Sequence, residues 1–173
     1  MDAAGKPRGS ARRSVVHGAW TPLHLAFSCH VVREDGRMLV TRRALSKATW
    51  PGVWTNAFCG HPRPGEAMRH AIDRRGHDEL GLALSDVDLM LPRFRYRATD
   101  ASGTVENEVC PVYLATTRQE PRPNPDEVAE LAWVRPEDLA RGVRSTPWAF
   151  SPWLVRQIDR LAALDPEPFA RAS

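Results

Sequence analysis

Cys59 and His61 stand two residues apart in the stretch TNAFCGHP, with only Gly60 between them. Side chains repeat every second residue along a strand, so in an extended segment this thiol and this imidazole point to the same side. Gly60 has no side chain, which lets a ligand or a neighbouring segment approach the backbone closely. A thiol and an imidazole on one face suggest a redox centre, a nucleophile pair or a neighbouring metal. The spacing alone fits all three.

Two carboxylates form a second candidate group. Glu106 and Glu108 in the stretch VENEV lie on one face of a predicted strand, about 6–7 Å apart at Cα. Such carboxylates repel each other unless a cation, a proton or solvent separates them, and a solvated strand face is the ordinary alternative. Together with His17, His24 and His61 they make a nitrogen and oxygen ligand set suited to a divalent metal. The sequence leaves open whether these five side chains converge.

The elements that must position these residues alternate between strands and helices, without an internal repeat. Period-two apolar patterns predict strands over residues 23–32, 38–43, 53–60, 93–98, 105–115 and 130–134. Helical periodicity and the positions of proline and glycine predict helices over about 64–80, from 135 onward, and over 148–164. This order predicts an α/β fold with a mixed sheet.

Composition narrows the class of protein. The 173 residues, 26% charged and 42% hydrophobic, predict one globular domain with a real core. No apolar run approaches the ~18 residues of a membrane span, so we expect no membrane insertion. Three cysteines fit a reducing compartment, by default the cytoplasm. The net charge of +3 is compatible with an anionic partner, but scattered basic residues without interleaved aromatics argue against nucleic acid.

The most specific pattern begins at Gly60 and reads G-x5-E-x7-R-x4-E-x-G-L, with its later fixed positions at Glu66, Arg74, Glu79, Gly81 and Leu82. It resembles the Nudix box, a loop–helix–loop that holds a divalent metal against a diphosphate. The match departs from the usual box at Arg75, which replaces a metal-binding carboxylate, and at Asp78, which shortens another. These departures argue against hydrolysis.

Further stretches resemble one branch of the Nudix superfamily, type I isopentenyl-diphosphate isomerase: LHLAFS, MLVTRRALSK, WPGVWTN, FCGHP, FRYRATD, VENEVCPV and TPWAFSPW. The resemblance runs from about residue 5 to residue 161. It implies a single domain over residues 1–173 with a Nudix-type mixed sheet sandwiched between helices. Residues 1–16 would form an N-terminal arm. Either the recorded start is too late, or the arm lacks the edge strand that precedes this segment in the family.

The resemblance also implies an activity, the interconversion of isopentenyl and dimethylallyl diphosphate, with a small-molecule diphosphate as the substrate; the oligomeric state stays open. Cys59 and Glu108 match the family's two proton-transfer residues, and Tyr96 matches the tyrosine that helps the glutamate handle its proton. Trp153 matches an indole that stabilises a carbocation, although core packing is the ordinary alternative for a helical tryptophan. A Nudix diphosphate hydrolase and a non-catalytic binding module are the competing classes. The retained acid/base set argues against both.

The family's metal and substrate positions can be assigned in the same way. A first site for Mn²⁺, Mg²⁺ or Zn²⁺ matches the set His17, His24, His61, Glu106 and Glu108. A second site, for the Mg²⁺ that bridges to the diphosphate, matches Glu79 with Cys59 beside it. The diphosphate itself would be held by Arg43, Lys47 and Arg75, with Arg13 a weaker candidate.

Overall fold

The computed structural model describes residues 1, 8–9 and 18–165, so most of the predicted N-terminal arm lies outside the described residues. Ten strands are present: β1 (His24–Leu25), β2 (Phe27–Val32), β3 (Met38–Arg43), β4 (Trp54–Asn56), β5 (Phe58–Gly60), β6 (Ser85–Leu91), β7 (Arg95–Thr99), β8 (Val105–Val109), β9 (Val112–Thr116) and β10 (Val128–Val134). Three α-helices accompany them in this part of the chain: α1 (Met68–Leu80), α2 (Pro136–Ser145) and α3 (Pro152–Leu164).

The strands form two sheets. The larger one is mixed and runs β10-β3-β2-β9-β6, with β2 and β9 parallel and its other pairs antiparallel; β4 adds to β3 and β5 adds to β2. The smaller sheet has the order β1-β8-β7, in which β1 is parallel and β7 antiparallel to β8. The predicted α/β class with a mixed sheet is confirmed.

Helices cover both faces of the larger sheet. On one face, α1 contributes Ala71, Ile72 and Leu80 to a core shared with β2 and β5. On the other face, α2 and α3 pack Leu139, Leu154 and other apolar side chains against a second core. β2 is buried along almost its whole length, as expected for a strand covered on both sides.

Several predicted strands are interrupted where the chain changes partner. The segment predicted over 53–60 becomes β4 and β5, which pair with β3 and β2 respectively. The segment predicted over 105–115 breaks at Pro111, whose nitrogen cannot donate to a strand ladder.

α1 begins at Met68 rather than near 64, because Gly65 adopts a positive φ of 76° in a preceding turn. No helix in the described part of the chain is long and apolar enough to cross a membrane.

Candidate active site

A large cleft, about 1410 Å³ in volume, is lined by all of the predicted catalytic, metal-binding and substrate-binding residues that the structure describes. Its wall contains side chains from β1, β3, β5, α1, β7, β8 and α3. Those predicted from the sequence are His24, Arg43, Lys47, Cys59, His61, Arg75, Glu79, Tyr96, Glu106, Glu108 and Trp153. His17 and Arg13 lie outside the described residues, so their predicted roles stay predictions.

Three of the predicted metal ligands converge. His24 on β1, His61 just after β5 and Glu108 on β8 each offer a ligand atom within 4.8 Å of the others. The two Nε2 atoms are 3.2 Å apart, and Glu108 Oε1 lies 3.1 Å from His61 Nε2 and 3.4 Å from His24 Nε2. Parallel pairing of β1 with β8 places His24 directly opposite Glu108. Residues from both sheets therefore meet at one point.

The donor set at this point fits a divalent cation. The Nδ1–H of His24 donates to the carbonyl of Pro22 at 2.9 Å, which leaves Nε2 aimed at the cluster. Histidines that bind metals commonly use their second nitrogen in this way. Two imidazole nitrogens and a carboxylate oxygen at these distances require a shared proton or a cation between them.

The electrostatics of the cluster agree with this geometry. Burial disfavours ionisation of Glu108, but hydrogen bonds from His24 and His61 outweigh burial and lower the pKa of this carboxyl. Burial also acts to lower the pKa of His24, yet its hydrogen bond to Glu108 raises it overall. Glu108 is therefore a carboxylate held ionised in a buried place.

Glu106 is turned toward different partners. Its Oε2 accepts a hydrogen bond from the Tyr96 hydroxyl at 2.5 Å, and its Oε1 accepts one from Thr49 Oγ1 at 2.8 Å. Burial and the neighbouring charge of Glu108 raise the pKa of Glu106. Tyr96 faces Glu108 across the β7–β8 ladder and donates its hydroxyl hydrogen to Glu106, so its predicted role in proton handling by Glu108 stays a prediction. The alternative of a solvated strand face for the two carboxylates is wrong, because both are buried.

Cys59 lies on the cleft wall, partly exposed. Its sulfur is 3.5 Å from Ser28 Oγ and 3.5 Å from Asn56 Oδ1. Burial raises the pKa of the thiol to about 12, and no disulfide is present among the described residues, which include all three cysteines. A neutral, unpaired thiol is suited to proton transfer rather than to disulfide redox chemistry or thiolate attack.

Trp153 belongs both to the core and to the cleft. The ring is 2% exposed and packs in the apolar cluster under α3, yet part of it lines the cleft beside Tyr96, at a ring-centroid distance of 5.6 Å. Its Nε1–H donates to Asn56 Oδ1 at 3.0 Å, which fixes the plane of the indole. The guanidinium of Arg43 lies 5.5 Å from the ring centroid. The ring can therefore hold a cation against its π face.

The predicted diphosphate-binding residues are already engaged with protein groups. Arg43 donates to the backbone carbonyls of Thr49 and Trp50. Lys47 is paired with Glu127, and Arg75 with both Glu79 and Glu127. Desolvation raises the pKa of Glu79, against the lowering effect of Arg75. The basic side chains are thus held at the cleft wall by carboxylates and carbonyls.

The loop before α1 is joined to the helix by an ion pair and by close packing at Gly60. Glu66 receives two hydrogen bonds from Arg74, at 2.8 and 2.9 Å. At Gly60 a Cβ would lie 2.8 Å from the Arg75 side chain and 2.8 Å from the Phe27 ring. The close approach predicted at this glycine is therefore made by neighbouring segments of the chain itself.

Four residues of the site were missed from the sequence: Ser28, Thr49, Asn56 and Glu127. Each acts on a predicted residue through a contact between elements far apart in the chain, and their types and spacing carry no chemical pattern. Asn56 is the most informative of them, because its amide nitrogen donates to two backbone carbonyls and so turns Oδ1 toward both Cys59 and Trp153.

Known proteins resemble this chain both in sequence and in fold. The family model described as NUDIX domain matches residues 22–154. An isopentenyl-diphosphate Delta-isomerase of Agromyces mediolanus is 62% identical over 171 residues, covering 99% of this chain and 83% of the relative. A protein of the same name from Kocuria rhizophila is 58% identical over 158 residues, covering 91% and 88%.

Solved structures agree on the fold. A MutT NUDIX hydrolase from Burkholderia pseudomallei has a TM-score of 0.62 at 27% identity, covering 80% of this chain and 98% of its own. A MutT protein from Methanosarcina mazei has a TM-score of 0.64 at 17% identity, covering 84% and 95%.

Proposed function

The chain belongs to the NUDIX family and, within it, to the isopentenyl-diphosphate Delta-isomerases, and we propose on this premise how its cleft moves the double bond. The reaction converts isopentenyl diphosphate to dimethylallyl diphosphate, the two five-carbon precursors of isoprenoids. The observation that carries the proposal is that one cleft holds a neutral thiol, Cys59, and an ionised carboxylate, Glu108, beside the aromatic faces of Tyr96 and Trp153.

Proton transfer is the chemistry that such a pair performs. One group adds a proton to the terminal alkene carbon, the π electrons form the new C–H bond, and the adjacent tertiary carbon becomes electron-deficient. The second group then removes a proton from the neighbouring CH₂, and that electron pair forms the new double bond. We assign these two steps to Cys59 and Glu108, with Tyr96 supporting the carboxylate pair through Glu106. Trp153 offers its ring to the positive charge.

We assign the first metal site to His24, His61 and Glu108, with His17 and Glu106 as the remaining predicted ligands. A divalent cation there, Mn²⁺, Mg²⁺ or Zn²⁺, supplies positive charge that keeps Glu108 ionised and fixed in orientation. The protein contributes the orientation of His24 through Pro22 and the pairing of β1 with β8.

The diphosphate end of the substrate would lie near Arg43, Lys47 and Arg75. Lys47 and Arg75 would then exchange their carboxylate partners for the diphosphate, and Glu79, which also lines the cleft, is the proposed ligand of the Mg²⁺ that accompanies the diphosphate. We propose a cytoplasmic location, because three cysteines without a disulfide fit a reducing compartment.

Hydrolysis of the diphosphate is the competing activity, since the fold is shared with NUDIX hydrolases. At position 75 this chain carries an arginine, whose guanidinium is paired with Glu79 and Glu127. That cation replaces a metal-binding carboxylate of the hydrolytic motif, so the cleft favours holding a diphosphate over cleaving it.

The test is direct. The protein is incubated with isopentenyl diphosphate and Mg²⁺ in deuterated water, and the products are separated into isomer and free phosphate. We expect dimethylallyl diphosphate that carries solvent deuterium, and no phosphate above the no-enzyme control. Phosphate as the main product would overturn the assignment in favour of hydrolysis.

A further inference from the structure

A chain of buried polar side chains lies behind Cys59 and has no part in the mechanism described so far. Ser28 and His30 project from the same side of β2, and Gln157 projects toward them from α3. All three are at most 1% exposed. Ser28 is the direct antiparallel partner of Cys59 in the β2–β5 ladder, so the hydroxyl and the thiol lie side by side.

The hydrogen bonds among these three side chains converge on Gln157 Oε1. Ser28 Oγ donates to Gln157 Oε1 at 3.2 Å, and His30 Nε2 lies 3.0 Å from the same oxygen. Burial lowers the pKa of His30 to about 4, so the imidazole is neutral near neutral pH and has a single N–H to donate. Gln157 Oε1 therefore accepts from two sides, and the only hydrogen of Ser28 is committed to it.

The committed hydrogen determines how Ser28 meets the thiol. A hydroxyl whose hydrogen is already donated can only accept, so Ser28 Oγ faces Cys59 Sγ as an acceptor and not as a donor. Asn56 Oδ1 is also an acceptor, because the amide nitrogen of Asn56 donates to two backbone carbonyls. The single hydrogen of the Cys59 thiol thus has two acceptors within reach, Ser28 Oγ and Asn56 Oδ1, and both are fixed in orientation.

This group of buried polar side chains lowers the stability of the fold. His30 Nδ1 and Gln157 Nε2 are buried and have no hydrogen-bond partner among the residues that the structure describes. Buried polar atoms without partners destabilise a protein, and apolar side chains of similar shape would pack here at least as well. A purely structural role does not account for this choice of residues.

We propose that Ser28, Gln157 and His30 form a positioning chain for Cys59: Ser28 holds the thiol in its orientation at the cleft wall, Gln157 fixes the Ser28 hydroxyl, and His30 fixes the Gln157 amide. The role rests on the proposed isomerase function, in which Cys59 transfers a proton. None of the three residues lines the cleft, so none of them is a catalytic residue.

The test compares steady-state kinetics of Ser28→Ala and Gln157→Leu with those of Thr117→Val. Thr117 is a matched control, because its buried hydroxyl donates to the carbonyl of Ala83 in a part of the chain that does not line the cleft. We expect kcat for isopentenyl diphosphate to fall about tenfold or more in both chain variants, with KM unchanged. Thr117→Val should lose thermal stability to a similar extent and keep its kcat.

Two further variants separate positioning from folding. Gln157→Glu retains an oxygen that accepts from Ser28 and His30, and it should recover most of the kcat that Gln157→Leu loses. The double variant His30→Phe/Gln157→Leu replaces both polar partners by apolar ones and should melt no lower than the wild type while remaining slow. A fall of kcat no larger than in the control, or a failure of Gln157→Glu to recover activity, would overturn the proposal.

A measurement without turnover keeps this inference distinct from the proposed function. The rate at which iodoacetamide alkylates Cys59, followed by peptide mass spectrometry, should rise several-fold in Ser28→Ala and Gln157→Leu and stay at the wild-type value in Thr117→Val. Equal rates in all four proteins would refute the positioning chain. An inactive wild type with these changed alkylation rates would refute the isomerase assignment alone.

Discussion

At the scale of single residues, the two proton-transfer groups differ in the protein side chains that surround them. Cys59 forms hydrogen bonds with the neutral side chains of Ser28 and Asn56, whereas Glu108 belongs to the converging histidine cluster. Cys59→Ala should therefore abolish turnover, by ~10²–10⁴-fold or more, while the metal content stays at the wild-type level. Steady-state assays and metal analysis of the purified variant check both parts. A variant with near-normal turnover would leave the thiol as packing beside the metal.

Glu108→Gln should behave differently, because that carboxylate has two roles. The amide cannot take up a proton and is a poorer ligand for a divalent cation, so both turnover and metal content should fall. The paired comparison with Cys59→Ala is the informative one. Equal metal content in the two variants would mean that His24, His61 and Glu108 do not share a cation.

At the scale of elements, the ion pair between Glu66 and Arg74 ties the loop before α1 to the helix. The hydrogen bonds from Arg74, joined by one from the Arg63 backbone, lower the pKa of Glu66 from 4.5 to about 2. A carboxyl whose pKa is depressed on folding stabilises the fold above its unfolded pKa, and this contribution is lost as the pH falls through the folded pKa. Glu66→Gln should thus be less stable than the wild type near neutral pH, and the difference should shrink between about pH 4.5 and about pH 2.

Urea unfolding of both proteins across this pH range measures the difference directly. Asp73→Asn is the control on the same helix, because its ion pair with Arg69 is solvent-exposed and exposed pairs contribute little. A constant difference between Glu66→Gln and the wild type at every pH would contradict the assignment of the stabilisation to this ionised pair.

The strands and helices also show how much of the fold could be predicted from the sequence. Strong period-two and helical patterns predicted most strands and the helices α1, α2 and α3, because burial on a sheet or helix face imposes them. β6 was missed, since its residues are largely exposed and its pairing with β9 contains register shifts. The site followed the same rule: residues with chemical patterns, such as Cys59 and Glu108, were predicted, whereas Asn56 and Ser28 act through pairings between distant segments that local spacing does not encode.

At the scale of the whole molecule, the predicted metal site joins the two sheets. His24 and Glu108 belong to the small sheet, and His61 follows β5 of the large one. A cation that binds all three in the folded state and none of them together in the unfolded state stabilises folding by RT ln(1 + [L]/Kd), about 2.7 kcal/mol at a hundredfold excess over Kd. For a chain of this size that corresponds to a rise in Tm of roughly 5–10 °C.

Adding Mn²⁺ to the metal-free protein should produce this rise in the wild type and in Cys59→Ala, which keeps all three ligands. His61→Ala should lose it, because removing one ligand weakens every remaining bond to the cation and disconnects the large sheet from the site. His77→Ala is the matched control: His77 is an exposed histidine on α1, so its loss should leave the shift intact. Differential scanning calorimetry with and without Mn²⁺ measures all four proteins. An equal rise in His61→Ala and the wild type would show that the cation stabilises the fold from somewhere other than the junction of the two sheets.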